Sequence, residues 1–138
     1  MSAIASISRY KAVQVTTSSP GHILVMLFDG VFRFMDEAKE ALSSGDRARF
    51  GQRISKAHAI LEHLAGTLDH SVSPELCTNL EALYLFCMGH LAEANIHRDP
   101  AKLDEVARIL EPLRDAWRTA AQQVAAAGAA PAPTGTTR

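Results

Sequence analysis

Apolar residues recur along most of the chain at alternating spacings of three and four, which is the period of an amphipathic α-helix. The clearest run is Phe50, Ile54, Ala57, Leu61, Leu64 and Leu68. A second run is Leu103, Val106, Leu110, Leu113, Trp117, Ala121 and Val124. Alternating apolar and polar stretches rich in Val, Ile and Thr, which would indicate strands, are absent after Thr17. The pattern therefore predicts an all-α fold.

Capping and turn residues divide the chain into four helical segments. Ser19-Pro20, Ser73-Pro74 and Asp99-Pro100 each place a capping side chain before a proline at the first helical position, and Gly45-Asp46 ends one helix and starts the next. The predicted helices cover 20–44, 47–69, 74–97 and 100–127. Short connections require neighbouring helices to be antiparallel, so we expect a single-domain, up-and-down four-helix bundle.

Two terminal segments lie outside this bundle. Residues 1–19 are expected to form an extended N-terminal segment that caps a groove of the bundle, and the alternative is a frayed terminus. Residues 128–138, composed of Ala, Pro, Gly, Thr and one Arg, are expected to form a disordered tail. Inside the fourth helix, Pro112 removes a backbone hydrogen bond, so we expect a kink near residues 108–111 or a division into two shorter helices.

The first and third helices carry more apolar residues than one buried stripe needs. The first has Leu24, Leu27, Val31, Phe34 and Ala38 on one stripe and Phe28, Phe32 and Met35 on an adjoining one. In the third, Leu80, Leu83, Cys87, Leu91 and Ala94 form the core face, while Leu85, Phe86, Met88 and Ile96 point elsewhere. The surplus is either internal packing or a surface covered by the N-terminal segment, a second subunit or a partner's helix or extended peptide.

Charge and apolar run length restrict the function. The formal net charge is −1 and the pI is about 6.6, so the chain lacks the basic excess of a nucleic-acid-binding protein. Its apolar runs are far shorter than the roughly 20 residues of a transmembrane helix, and residues 1–10 lack the apolar core of a signal peptide. We therefore expect a cytosolic protein that neither binds nucleic acid nor inserts into a membrane.

No catalytic, metal or cofactor site is predicted. The six histidines form no i,i+4 pair and no Glu-x-x-His motif, and no nucleophile has a recognisable base. Cys77 and Cys87 are interpreted as packing thiols, and Arg47, Arg49 and Arg53 as a solvated helix face. A histidine phosphotransfer bundle using His58 or His63 is an alternative that the local sequence does not favour.

Several segments, in order, resemble the FliS family of flagellar secretion chaperones. They are Tyr10-Lys11, VTTSSP from Val15 to Pro20, and LVMLFDGVFRFMDEAKEAL from Leu24 to Leu42, followed by Leu68-Asp69, Asn79-Leu80, Leu83-Tyr84, Leu91-x-x-Ala94-Asn95 and Leu113-Arg114-x-x-Trp117. The chain departs from the family pattern at Phe28, where Tyr is usual, at Pro112, and in the loop 70–73, which is not rich in glycine.

The resemblance implies an export chaperone that is not an enzyme and needs no cofactor. Such a chaperone binds the disordered C-terminal segment of flagellin in the cytosol, prevents premature polymerisation and delivers flagellin to the flagellar export gate. A co-chaperone or flagellin regulator is a further expected partner. By the same resemblance, Ile7 and Tyr10 would cap the groove that flagellin enters.

The residues expected to contact flagellin are mostly on the third and fourth helices. The apolar and aromatic members are Leu80, Leu83, Tyr84, Cys87, Leu91, Leu110 and Trp117. Asn79 and Asn95 are expected to hydrogen-bond to the partner's backbone. For each of these residues, simple core packing is the alternative. For the whole protein, the alternative is a structural bundle whose apolar surplus forms a homodimer.

Overall fold

A computed structural model of the chain describes residues 20–129. Its helices are α1 (Pro20–Ser43), α2 (Arg47–Gly66), α3 (Pro74–His97) and α4 (Pro100–Ala129). No strand occurs in this range, which confirms the all-α prediction. Each helix packs on its two neighbours in the order α1, α2, α3, α4 and back to α1. The short connections make neighbours antiparallel, so the molecule is an up-and-down four-helix bundle.

Most of the two terminal segments predicted from the sequence lie outside the described residues. These are the N-terminal segment 1–19, with Ile7 and Tyr10, and the tail from residue 130. At the near edge of that tail, α4 continues through residues 128 and 129 instead of ending at residue 127. The helix therefore extends slightly further than the composition of the tail suggested.

The connection between α1 and α2 is made by two residues with specific backbone roles. Gly45 has φ of +84°, in the left-handed region that favours glycine. Asp46 then caps α2, because its Oδ1 accepts a hydrogen bond from the Arg49 N–H at 3.0 Å. α1 ends at Ser43, one residue before the predicted boundary.

The predicted end of α2 at residue 69 is wrong. The helix ends at Gly66, and Thr67 is its C-cap residue: the Thr67 N–H donates to the carbonyls of His63 and Leu64, and its hydroxyl donates to the Leu64 carbonyl. Asp69 instead organises the following turn, accepting from the Ser71 N–H and hydroxyl. The Ser71 hydroxyl and N–H stabilise the carboxylate, which lowers the pKa of Asp69.

Pro112 lies within α4, which is one continuous helix. The alternative of two shorter helices is therefore wrong, whereas the kink stays a prediction. Pro112 is exposed, so its ring points to solvent and the Arg108 carbonyl, deprived of its helical donor, can be hydrated. The exposed position of Pro112 therefore lowers the free-energy cost of placing a proline in the helix interior.

The core runs the length of the bundle and contains side chains from all four helices. Its largest enclosed members are Trp117, Tyr84, Phe28, Phe50, Ile54, Leu61, Leu91, Leu103, Leu110, Val31 and Val106. Phe28 of α1 and Tyr84 of α3 meet across the centre, with ring centroids 6.3 Å apart. Both cysteines are buried, and burial raises the pKa of the Cys87 thiol from about 9.0 to about 11.

Candidate partner-binding surface

The outward face of α3 carries an uncharged stripe that no other helix of the described chain covers. It consists of Thr78, Ala82, Leu85, Gly89, Ala92 and Ile96, all exposed. Alternating spacings of four and three keep these residues on one side of the helix over about 27 Å. Leu85 is 55% exposed and Ile96 is 72% exposed. We call these six residues the outer stripe.

The outer stripe combines large side chains with small ones. A Cβ added at Gly89 would meet nothing within 4 Å, so the surface there is open. Ala82, Gly89 and Ala92 leave the backbone accessible between the larger Leu85 and Ile96. An alternation of this kind lets a second helix approach closely while the larger side chains fill the spaces between its residues.

Phe86 extends the apolar surface from the outer stripe toward α4. It is 53% exposed, and its ring lies 4.4 Å from the His90 ring. His90 Nε2 in turn lies 2.7 Å from Glu105 Oε1 of α4. Asn79 is exposed and shares this edge of α3, because it precedes Phe86 by two helical turns.

The opposite edge of α3 borders a groove shared with α2. The groove has a volume of about 260 Å³ and is lined by Ile54, Ser55, His58, Ala92 and Asn95. A Cβ on Gly51 of α2 would lie 3.2 Å from Asn95 Oδ1, so the missing side chain at Gly51 makes room for Asn95. The two asparagines predicted to contact the partner therefore flank the outer stripe on its two sides.

The other predicted contact residues on α3 and α4 lie in the core or at its edge. Leu80, Tyr84, Cys87, Leu91, Leu110 and Trp117 are all buried in the core. Leu83 is half-buried at the edge of the core. A partner could touch the buried six only if the bundle opened. Their packing nevertheless fixes the position and rotation of α3, and thereby of the outer stripe.

Leu85, Phe86 and Ile96 are not among the predicted contact residues, although the sequence already places them away from the core face. The structure shows that they are the large apolar side chains that α3 exposes. A usable signal was present in the sequence: the series of uncharged residues at 78, 82, 85, 89, 92 and 96. This series has the same spacing as the core stripe of α3, so the sequence alone does not show which of the two stripes faces solvent.

Each residue of the Phe28-Asp29-Gly30 segment of α1 faces a different part of the bundle. Phe28 is fully buried in the core. Asp29 faces α4, where its Oδ1 lies 3.2 Å from Arg118 Nη2 and 3.5 Å from Arg114 Nη1. Gly30 faces α2, where an added Cβ would lie 3.0 Å from Ile60 Cδ1. The segment thus sets the spacing of α1 against both of its neighbours.

Arg114 joins this arrangement from α4. Its guanidinium carbon lies 4.1 Å from the centroid of the Phe32 ring of α1, in addition to its ion pair with Asp29. The Leu113-Arg114-x-x-Trp117 segment therefore supplies two core residues, Leu113 and Trp117, together with this contact to α1. These two sequence motifs hold α1 against α4, and neither forms the exposed surface.

The described residues show neither a metal site nor a membrane-spanning helix. No group of three or more His, Cys, Asp or Glu residues in the range 20–129 is placed to hold a metal ion. None of the helices in the same range is long and apolar enough to cross a membrane. The feature that stands out is the uncovered outer stripe with its flanking asparagines.

These features define a small four-helix bundle whose third helix carries a face that no other helix in the range 20–129 covers. Comparison with known families identifies the group to which it belongs. The family model of the flagellar protein FliS matches residues 3–124. The chain belongs to the FliS family, a family of flagellar secretion chaperones.

Individual relatives agree with this assignment. The chain is 33% identical over 113 residues to the flagellar secretion chaperone FliS of Bacillus subtilis, a match covering 82% of this chain and 84% of that protein. It is 33% identical over 105 residues to FliS of Salmonella typhimurium, covering 75% and 78% of the two chains. For FliS of Vibrio cholerae the identity is 31% over 116 residues, covering 81% and 85%.

Proposed function

We propose that this chain is a cytosolic export chaperone that binds the C-terminal segment of flagellin, prevents its premature polymerisation and delivers it to the flagellar export gate. Membership of the FliS family supports the chaperone role in flagellar export. The observation that carries the binding proposal is the outer stripe of α3, an uncharged helical face of about 27 Å that the bundle leaves uncovered.

The occupant of this stripe is an amphipathic helix within the flagellin segment. Alternating spacings of four and three match the apolar stripe of a second helix, and the small residues permit close approach. The asparagine at each side of the stripe, Asn79 and Asn95, provides amide groups that can bond to the ends or extended portions of the bound segment.

The area available on the stripe sets the strength of the interaction. Complete burial of the exposed portions of Leu85, Phe86 and Ile96 would contribute roughly 4 kcal/mol in total, at about 1.5–3 kcal/mol for a fully buried side chain. A dissociation constant of about 1 μM requires about 8 kcal/mol, and ordering a disordered segment opposes binding. The segment must therefore make further contacts beyond the stripe, and the complex remains reversible.

The N-terminal segment is proposed to regulate access to this surface. Ile7 and Tyr10 would cover the groove in the free protein and move when flagellin binds. In this scheme Leu83 and the two asparagines are direct contacts, whereas the six buried members of the predicted set act by holding α3 in place.

Calorimetric titration with a synthetic peptide of the C-terminal segment of flagellin tests the proposal. We expect stoichiometric binding with a negative heat-capacity change, as apolar burial requires. Leu85→Asp should weaken binding at least tenfold, because a carboxylate would enter an apolar contact. Ile23→Asp is the matched control, since Ile23 is 54% exposed on a different helix, and it should change the affinity less than twofold.

Two results would contradict the proposal. Failure of the folded wild-type chain to bind the peptide would refute flagellin binding itself. Equal weakening by Leu85→Asp and Ile23→Asp would refute the outer stripe as its site. The homodimer alternative has its own signature: a molecular mass that rises with concentration in the absence of peptide, and that Leu85→Asp abolishes.

A further inference from the structure

A second surface lies along the line where α1 meets α2, which we call the α1–α2 seam. From α1 it includes Ile23, Met26, Gly30, Arg33 and Phe34, and from α2 it includes Arg53, Lys56 and Ile60. The 3.0 Å approach of a Cβ at Gly30 to Ile60 Cδ1 shows that this stripe of α1 faces α2. The seam is separate from the outer stripe: α1 and α3 are not neighbours in the ring of helices, and α2 lies between the seam and the groove that borders the outer stripe.

Three cations surround one aromatic ring in the seam. The guanidinium carbon of Arg33 lies 4.9 Å from the centroid of Phe34, that of Arg53 lies 6.0 Å away, and Lys56 Nζ lies 5.9 Å away. Phe34 is half-buried, so its ring forms the floor on which the charged groups rest. Each such contact is worth only about 0.5–1 kcal/mol at an exposed site, so the ring positions the cations without neutralising them.

The charges of this cluster are not balanced within the described chain. Arg53 Nε lies 3.3 Å from Glu37 Oε1. Arg33 and Lys56 form no ion pair with any residue in the range 20–129. Two exposed positive charges are therefore held near one ring on a chain whose net charge is −1. Carboxylates placed beside Arg33 and Lys56 would form ion pairs with these two cations.

The other half of the seam is apolar. Ile23 is 54% exposed and Met26 is 56% exposed. With Ile60 they continue the seam toward the N-terminal end of α1. From Ile23 to Arg33 the distance along α1 is about 15 Å, or roughly three helical turns. An apolar half beside a cationic half is complementary to a short amphipathic segment that carries acidic residues at one end.

We propose that the α1–α2 seam is a docking site for an acidic amphipathic helix of a second protein partner, separate from the partner on the outer stripe. Apolar side chains of this helix pack on Ile23 and Met26, and its carboxylates pair with Arg33 and Lys56. The chain's own segment 1–19 is not complementary, because it contains Arg9 and Lys11 and no acidic residue. A nucleic acid would leave the apolar half of the seam uncovered.

The test uses two synthetic helical peptides that differ only in charge. Each is a 16-residue peptide, about four helical turns long. One face carries leucines over the first half of the peptide and, over the second half, glutamates in one peptide and glutamines in the other. Binding is measured by fluorescence anisotropy, and the site is located by NMR shifts of backbone amides. We expect the glutamate peptide to shift amides of the seam and to bind at least tenfold more tightly than the glutamine peptide.

Charge-reversal variants locate the interaction. Arg33→Glu combined with Lys56→Glu should weaken the glutamate peptide at least tenfold. The control, Arg47→Glu combined with Arg108→Glu, changes the net charge equally at exposed positions outside the seam and should change the affinity less than twofold. Neither double variant should alter binding of the flagellin peptide by more than twofold.

Several results would overturn the proposal. These are equal affinity for the two peptides, equal effects of the two double variants, and amide shifts on the outer stripe instead of the seam. An RNA oligonucleotide that displaced the glutamate peptide from the same amides at the same concentration would show a general anion site and also overturn it. Loss of flagellin binding in the Arg33 and Lys56 variant would show one continuous surface and refute two separate sites.

Discussion

The close approach of α1 to α2 at Gly30 can be tested by a double-mutant cycle with Ile60. A Cβ at position 30 would lie 3.0 Å from Ile60 Cδ1, about 0.5 Å inside the normal carbon–carbon separation of 3.5–4.0 Å. Replacing Gly by Ala inside a helix contributes about 1 kcal/mol, whereas overpacking costs about 1–3 kcal/mol. Because the contact is with the end of a flexible side chain, the lower value applies, and Gly30→Ala should be nearly neutral.

Ile60→Val removes the Cδ1 atom that the new Cβ would meet. In that background Gly30→Ala should stabilise the protein by about 1 kcal/mol, which is a coupling energy of about 1 kcal/mol between the two sites. Gly89→Ala serves as the control, because its Cβ meets nothing within 4 Å, and it should stabilise by about 1 kcal/mol in either background. Urea unfolding followed by circular dichroism measures these free energies. A Gly30→Ala variant as stable as Gly89→Ala with Ile60 intact would refute the close approach.

Three further predictions concern stability. Asp29→Asn should lower the free energy of unfolding by about 0.5–1 kcal/mol, because it loses half-exposed ion pairs with Arg114 and Arg118. The difference from wild type should shrink in 1 M salt, and an unchanged difference would contradict the ionic origin. The unfolded chain loses the Cys87 proton near pH 9.0 and the folded chain only near pH 11, so stability should fall between these values. Cys87→Ala should remove about 2–3 kcal/mol of that fall in pH-dependent urea unfolding; identical slopes would refute the assignment. Pro112→Ala should raise the thermal midpoint, with a gain of up to about 3 kcal/mol, and a lower midpoint would show that α4 depends on the proline for its packing.

The helices were predictable because their signals are local and agree with one another. Helices begin at Pro74 and Pro100 as predicted, because proline fits the first helical position. Asp99 Oδ1 accepts a hydrogen bond from the Ala101 N–H, whereas the predicted capping bond of the Ser73 side chain is absent. The end of α2 was not predictable in the same way. Leu68 continues the apolar spacing, but the hydrogen bonds of Thr67 and the Ser71-Asp69 turn end the helix earlier. The spacing of apolar residues does not reveal hydrogen bonds of this kind, so it places the end of α2 too late.

The candidate surface was harder to predict than the fold, for a physical reason. On α3 the core stripe and the outer stripe have the same period and both lack charge. The sequence therefore shows that α3 has surplus apolar residues but not which of them meet solvent. Tyr84 and Trp117 were natural candidates as large aromatics, and both are enclosed. Only packing against α2 and α4 fixes the rotation of α3 that leaves Leu85 and Ile96 outside.

The most direct test of the account is a site-specific crosslink from the outer stripe to the flagellin segment. A photoreactive amino acid would replace Leu85 in one variant and Glu40, an exposed position of α1, in another, each mixed with the flagellin C-terminal peptide. We expect irradiation to join the peptide to position 85 in high yield and to position 40 only at background. A peptide that binds both variants but crosslinks equally to the two positions, or only to position 40, would contradict the outer stripe as the flagellin site.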